Sequence, residues 1–143
     1  MIHRTFKISN YTSVVFTGLH LHPCGFLAAS PDGESENFVL EIKCPYTHRF
    51  DVLQNVLKPT CPSKLYAIYF EDGELRINTN HPYYHQIQGQ IYLAKKEYGL
   101  FFVYTTKSHV LVKIPKDPEW EENLEKLQTF YYNNFIPHIL SQL

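Results

Sequence analysis

Phe26-Leu-Ala-Ala-Ser-Pro-Asp-Gly33 and, shortly after it, Leu40-Glu-Ile-Lys-Cys-Pro45 are the stretches on which the reading of this chain turns. Phe26 to Ala29 is apolar and stops at Ser-Pro-Asp-Gly, where Pro31 fixes φ and Gly33 lets the chain reverse. Phe38 to Lys43 then resumes as a strand, so the two stretches predict a pair of strands joined by a turn. Side chains alternate faces along a strand, which puts Glu41 and Lys43 on one face, about 6–7 Å apart, and turns Leu40 and Ile42 into a core on the other. Both groups then converge beside Asp32 at the turn.

Two carboxylates and one ammonium in such a place suggest a divalent cation. Mg²⁺ takes hard oxygen ligands, keeps several waters, and is often held by one or two carboxylates plus substrate phosphate oxygens. Asp32 and Glu41 suit that role. The metal would lower the pKa of a bound water and polarise a phosphoryl oxygen, with Lys43 orienting the water or neutralising charge on the phosphate. The reaction implied is metal-assisted phosphodiester hydrolysis.

Taken together, Ser30-Pro-Asp-Gly33, Glu41-Ile-Lys-Cys-Pro45 and a later Tyr84-x-Gln-x-Gln88-x-x-x-Tyr92 resemble the phage lambda exonuclease and YqaJ-like viral recombinase group of the PD-(D/E)XK nucleases, over roughly residues 18 to 105. The resemblance implies a restriction-endonuclease-like α/β (α+β) core, a mixed β-sheet flanked by helices. It further implies that Asp32, Glu41 and the backbone carbonyl of Ile42 hold the metal, Mg²⁺ or Mn²⁺, and that Lys43 is the catalytic lysine. By the same resemblance Ser30 lies near the phosphate of the DNA end, and Gln88 and Tyr92 belong to a helix that borders the site. The group carries a helix before its first core strand that supplies a further acidic residue. Met1 to Tyr11 contains no Asp or Glu, so the expectation is a domain that lacks this N-terminal helical part.

Composition sets further bounds. A chain of 143 residues, 44% hydrophobic and 15% aromatic, is long enough to bury a core as a single domain, 1–143. Net charge is −1, so no global basic field attracts nucleic acid and DNA binding has to be local. Cys24, Cys44 and Cys61 form no CxxC pair and are odd in number, which argues against a disulfide framework and for a reducing compartment. There is no run of 18 apolar residues and no apolar signal core after Met1, so the expected setting is intracellular, in the nucleus or cytoplasm of a host cell, not secreted and with no membrane.

Along the rest of the chain, Ile2 to Lys7 reads as a first strand and Thr12 to His22 as a β-rich segment. There His20, His22 and Cys24 alternate as either zinc ligands or one face of a strand. Tyr46 to Lys58 has apolar residues at helical spacing, ended by Pro59. Arg49 in it is either a phosphate contact or part of a solvated helix start. Asp72-Gly73 predicts a hairpin between Leu65–Phe70 and Glu74–Asn78. His81 to Glu97 predicts a helix with Asn80 as N-cap and Pro82 in its first turn. Tyr84, Ile87, Ile91, Ala94 and Tyr98 form its apolar stripe, while His81, His85, Gln88 and Tyr92 form a polar, carboxylate-free one suited to hydrogen-bonding a phosphate or a metal-bound water. Lys95 and Lys96 answer the helix dipole or form a basic rim for DNA. Leu100 to Thr105 and His109 to Ile114 read as two strands. A C-terminal helix over 117–141 starts at Asp117-Pro-Glu119, buries Trp120, Leu124, Leu127 and Tyr131, and is kinked or ended by Pro137.

The expected function is a Mg²⁺-dependent deoxyribonuclease, an exonuclease acting on duplex DNA ends in viral or mobile-element recombination. The candidate catalytic residues are Asp32, Glu41, Lys43, Gln88 and Tyr92, and the candidate DNA contacts Ser30, Arg49 and His85. DNA is the expected partner. A homo-oligomer and a single-strand annealing or recombination partner follow from family analogy alone. The alternative is a catalytically impaired DNA-binding or assembly remnant of the same fold.

Overall fold

The computed structural model describes residues 13–57 and 67–143, together with the backbone of Thr5 and Phe6. The first strands are short: β1 (Thr5–Phe6), β2 (Val14–Val15), β3 (His20–Leu21), β4 (Ala28–Ala29) and β5 (Gly33–Glu34). β6 (Phe38–Lys43) follows, then a 3₁₀ turn at Tyr46–His48, the short helix α1 (Leu53–Val56) and the hairpin β7 (Ile68–Glu71) and β8 (Glu74–Ile77). Helix α2 (Pro82–Leu93), strands β9 (Tyr98–Tyr104) and β10 (His109–Pro115), and the C-terminal helices α3 (Glu122–Phe130) and α4 (Ile136–Leu140) complete the order.

Six strands form one sheet in the order β1-β2-β5-β6-β9-β10, while β3-β4 and β7-β8 stand as separate ribbons. Every pairing in the main sheet is antiparallel except β6 with β9, where Phe38 faces Tyr98 and Lys43 faces Val103. A parallel neighbour requires a crossover, and the connection between these strands supplies it by laying α2 on the sheet. The fold is therefore the mixed sheet flanked by helices that the sequence predicts.

The stretch around Asp32 folds differently from the expected two-strand hairpin. Ala28–Ala29 pairs back onto β3, and the chain returns to β6 through β5, with Gly33 opposite Leu40 and Glu34 opposite Val39. A Cβ on Gly33 would lie 2.7 Å from Val14 Cγ1, so glycine is what lets β5 slip between β2 and β6.

Val39, Phe101 and Val103 on the sheet meet Ile87 and Ile91 of α2 in the larger core, which Tyr84 and Trp120 extend. On the other face Val14, Phe38, Leu40 and Leu100 form a smaller cluster. The alternation along β6 is as read, but its burial is not: Glu41 is only 4% exposed beneath α2, whereas Ile42, at the end of the smaller cluster's face, is 38% exposed.

Local chemistry explains most of the other boundaries. Asp72 (φ 51°) and Gly73 (φ 80°) make the expected turn between β7 and β8. The cap of α2 is His81, not Asn80, because the His81 ring nitrogen Nδ1 accepts the Tyr83 N–H. The helix stops at Leu93, short of Glu97, because Lys95 adopts the left-handed conformation (φ 55°) and the Lys96 N–H turns back to the Ile91 carbonyl. The Lys96 ammonium lies 2.7 Å from the Ser35 carbonyl and 3.5 Å from Glu34, which ties it to the β5–β6 turn instead of a basic rim.

The helix expected over 46–58 is broken instead into the 3₁₀ turn and α1. The Arg49 carbonyl accepts from Thr106 and that of Asp51 from Thr105, so these oxygens bind the β9–β10 loop and not an amide one turn on. The parts of the readings that fall on Met1–Arg4, Lys7–Thr12 and Lys58–Tyr66, including Cys61 and Pro59, lie outside the described residues. Near the C-terminus Pro137 does not end the helix. A wider π-turn over Tyr131–Phe135 absorbs the missing N–H, and the chain continues into α4. Trp120 is buried as expected, but Leu127 is exposed, and Tyr131 stacks on Phe26 at 3.8 Å.

Candidate active site

Glu41 is the centre of the candidate site because a carboxylate at such depth is costly unless donors surround it. Three do. Lys43 Nζ lies 2.5 Å and Gln86 Nε2 2.8 Å from Oε1, and Gln90 Nε2 lies 2.7 Å from Oε2. The lysine comes from the same face of β6, two residues on, and the glutamines from successive turns of α2. Lys43 also donates to Gln86 Oε1 at 3.2 Å and sits 4.5 Å from the Tyr83 ring centroid, so its half-buried ammonium is fixed from three sides.

Asp32 reaches the same strand by another route. β5 begins at Gly33, opposite Leu40, so the residues of β6 beyond Leu40 have no ladder partner on that edge. The Asp32 carboxylate takes over, its Oδ2 accepting the Ile42 N–H at 2.7 Å. Because the N–H and C=O of one strand residue point to the same edge, the Ile42 carbonyl faces the side on which Asp32 stands.

Gln88 and Tyr92 are turned away from this cluster. Gln88 is fully buried, donates to the Pro115 carbonyl at 2.9 Å and accepts the Asp117 N–H at 3.0 Å. Tyr92 donates its hydroxyl to the Asp117 carbonyl at 2.8 Å and stacks on Trp120. Tyr84 donates to the Asp117 carboxylate at 2.5 Å, and burial together with that carboxylate pushes its phenol well above the ordinary tyrosine range. These three side chains hold the end of β10 to the start of the C-terminal helices.

Gln86 and Gln90, which meet Glu41, are residues that sequence reading missed. They lie two positions from Gln88, which at 100° per residue is the opposite side of the helix. The signal available was the i, i+4 pair itself.

A cleft of about 420 Å³ opens beside the cluster, lined among others by Leu27, Ser30, His85, Gln86, Gln90 and Trp120. Trp120 Nε1 donates to His85 Nδ1 at 2.9 Å, which makes that nitrogen an acceptor and leaves Nε2 as the exposed donor of the neutral ring. Arg49 lies elsewhere, just past β6, against the rings of Tyr46 and Phe50. His20 is engaged with Thr17 and Glu34, and His22 Nδ1 accepts the Cys24 N–H.

The donor set suits a hard cation. Asp32, Glu41 and the Ile42 carbonyl offer only oxygen. Among the described residues no group of three His, Cys, Asp or Glu side chains gathers at one point, so such an ion would complete its shell with water and substrate oxygens. One atom is poised for such a donor. Gln90 is 2% exposed, its amide NH₂ faces Glu41, and its Oε1 has no hydrogen-bond partner among the described residues.

No protein-family model and no curated protein matches the chain. Two solved structures of an alkaline exonuclease from Laribacter hongkongensis share its fold. One superposes with a TM-score of 0.60 at 22% sequence identity, covering 90% of this chain and 60% of that one. The other, of the exonuclease in complex with dAMP, gives a TM-score of 0.62 at the same identity and coverage. The chain thus spans about 60% of the length of the exonuclease it matches. Among the described residues no helix is long and apolar enough to cross a membrane.

Proposed function

We propose that this chain is a metal-dependent DNA nuclease of the lambda-exonuclease and YqaJ-like type, acting at duplex ends in viral or mobile-element recombination inside the cell. The observation that carries the reading is Glu41. Nothing in packing calls for a carboxylate under α2, yet one is held there by a lysine and two glutamines, beside an aspartate docked on the same strand. The shared fold with an alkaline exonuclease supports it, as does that enzyme's complex with dAMP, a mononucleotide of the kind that end-cutting releases.

Asp32, Glu41 and the Ile42 carbonyl would hold Mg²⁺, or Mn²⁺ in its place. When bound, the ion supplies an acidified water and a polarised phosphoryl oxygen. The chain's own groups do the rest. Lys43, fixed by Glu41 and Gln86, presents its ammonium to charge developing on the phosphate. Gln86 and Gln90 hold the Glu41 oxygens in one orientation, and an amide clamp does so without titrating. Ser30 and the Nε2–H of His85 donate to the phosphate of the DNA end from the adjoining cleft. Gln88 and Tyr92 act only by holding the Asp117 junction. Self-association and a recombination partner belong to the same proposal by family analogy.

The second reading, a catalytically impaired DNA-binding remnant, draws on one observation: both Glu41 oxygens are already occupied by protein donors. Cleavage of linear 5′-phosphorylated duplex, with a circular control, in Mg²⁺ or Mn²⁺ separates the two. Loss of linear DNA alone, abolished by chelator and by Lys43→Ala or Asp32→Ala, is the expected result. Cutting of the circle would make the enzyme an endonuclease. Binding without cleavage would establish the remnant.

A further inference from the structure

Immediately beyond the candidate catalytic lysine the chain displays two aromatic rings. Tyr46 is 76% and Phe50 64% exposed, and the Arg49 guanidinium lies 4.3 Å from one ring centroid and 4.6 Å from the other. Single exposed apolar side chains need no explanation. This group differs because its backbone is fixed while its rings are presented. The His48 and Arg49 amides close the turn onto Pro45 and Tyr46, and the Arg49 and Asp51 carbonyls are held by Thr106 and Thr105 of the neighbouring β9–β10 loop. Arg49 donates Nη1 to the Tyr46 carbonyl at 2.8 Å, one of the five N–H donors a guanidinium carries.

We propose that Tyr46, Arg49 and Phe50 form a base-stacking platform for unpaired nucleotides of the DNA next to the cleavage position. The proposal rests on the nuclease reading and extends it. Aromatic faces and guanidinium planes bind bases of any sequence, and the cation adds attraction to the backbone. A net charge of −1 leaves such local contacts to provide affinity. Two residues, Cys44 and the extended Pro45, separate Tyr46 from Lys43, so three residue steps of about 10 Å link them, the rise of a few stacked nucleotides. The occupant is single-stranded DNA because the faces of paired bases are closed inside a duplex. Arg49 accordingly acts as part of a stack and not as an isolated phosphate clamp, and the fixed turn means that little ordering is required on binding.

The test is fluorescence anisotropy in chelator, which prevents turnover. The probe is a labelled 5′-phosphorylated oligothymidylate of about a dozen nucleotides, with a duplex of equal length beside it. Tyr46→Ala and Phe50→Ala are each expected to weaken single-strand binding by about 5- to 100-fold, with melting temperatures unchanged because both rings are exposed. Tyr46→Phe keeps the ring and should bind as the parent does. Arg49→Lys keeps the charge but loses the plane, and should fall between. Duplex affinity should change less than single-strand affinity. If the alanine variants bind the oligonucleotide like the parent while the parent still cuts linear duplex, the platform is refuted and the nuclease reading stands. If the parent neither binds nor cuts DNA, both are overturned.

Discussion

Gly99 of β9 packs directly under the glutamine-bearing helix, and Gly99→Ala gives the sharpest test of how the site is supported. A Cβ there would stand 2.5 Å from Ile87 Cγ2, 3.4 Å from Ile91 Cδ1 and 3.5 Å from Val39 Cγ2. Carbon atoms rest about 3.5–4.0 Å apart, so the first contact is short by about 1 Å or more. The opposing atom is a β-branch methyl, fixed close to the helix backbone, and it yields only if α2 moves. Overpacking of this kind costs about 1–3 kcal/mol. At about 3 °C per kcal/mol for a chain of this size, the melting temperature should fall by roughly 3–9 °C. Gln86 and Ile87 are adjacent on α2, so the same displacement loosens the clamp on Glu41, and cleavage should fall along with stability. Ile87→Ala alone should cost about 2–5 kcal/mol by leaving a cavity, but it also removes the clashing methyl. The double variant should therefore be more stable than the sum of the two losses predicts, by about 1–3 kcal/mol in a denaturant-melt cycle. Strict additivity, or a Gly99→Ala protein as stable as the parent, would refute the reasoning.

Three further outcomes are expected. Gln90→Ala uncovers one oxygen of a buried carboxylate and should cost about 1–3 kcal/mol in a urea melt, with a larger loss of cleavage than of DNA affinity. Tyr84→Phe removes a hydrogen bond to a charged acceptor, worth about 1.5–3 kcal/mol at neutral pH. Because the folded phenol titrates above the ordinary value of 10.0, the unfolded chain releases that proton first. The parent's stability is thus whole below about pH 10 and declines as pH rises through the folded value. The phenylalanine variant should show a shallower alkaline decline, with the raised Tyr92 phenol still contributing to it. Trp120→Phe deprives His85 Nδ1 of its donor, and nitrogen chemical shifts of the ring should report a mixture of tautomers where the parent shows one.

What could be read from the sequence was what depends on neighbours along the chain. Asp72-Gly73 dictates its own turn, the apolar run in β9 marks a strand buried on both faces, and the spacing of Tyr84, Ile87 and Ile91 gives the buried side of α2. The proximity of Asp32 to β6 was also legible, although the bond that makes it, from the Ile42 N–H, was not. Facing relations were hidden. Alternation separates Glu41 from Ile42 but does not say which side a helix will cover, so the core was expected on the side of Ile42, which is exposed, and α2 covers Glu41 instead. The same ambiguity governed α2, where the polar stripe through Gln88 and Tyr92 was legible as polar, yet its partner proved to be the Asp117 junction. Thr105 and Thr106 broke the expected helix after β6 from more than 50 residues away, a distance at which no local pattern operates.

The parallel pairing of β6 with β9 also sets an order of events. Phe38 meets Tyr98 60 residues later, and Glu41 receives Gln90 across a separation of 49. Closing so long a loop is slow compared with forming a hairpin or a turn of helix. A chain growing from its N-terminus holds Asp32, Glu41 and Lys43 well before the helix and strand that organise them. On the proposed reading, Glu41 and Lys43 are thus without the glutamines of α2 until that helix and β9 have joined β6.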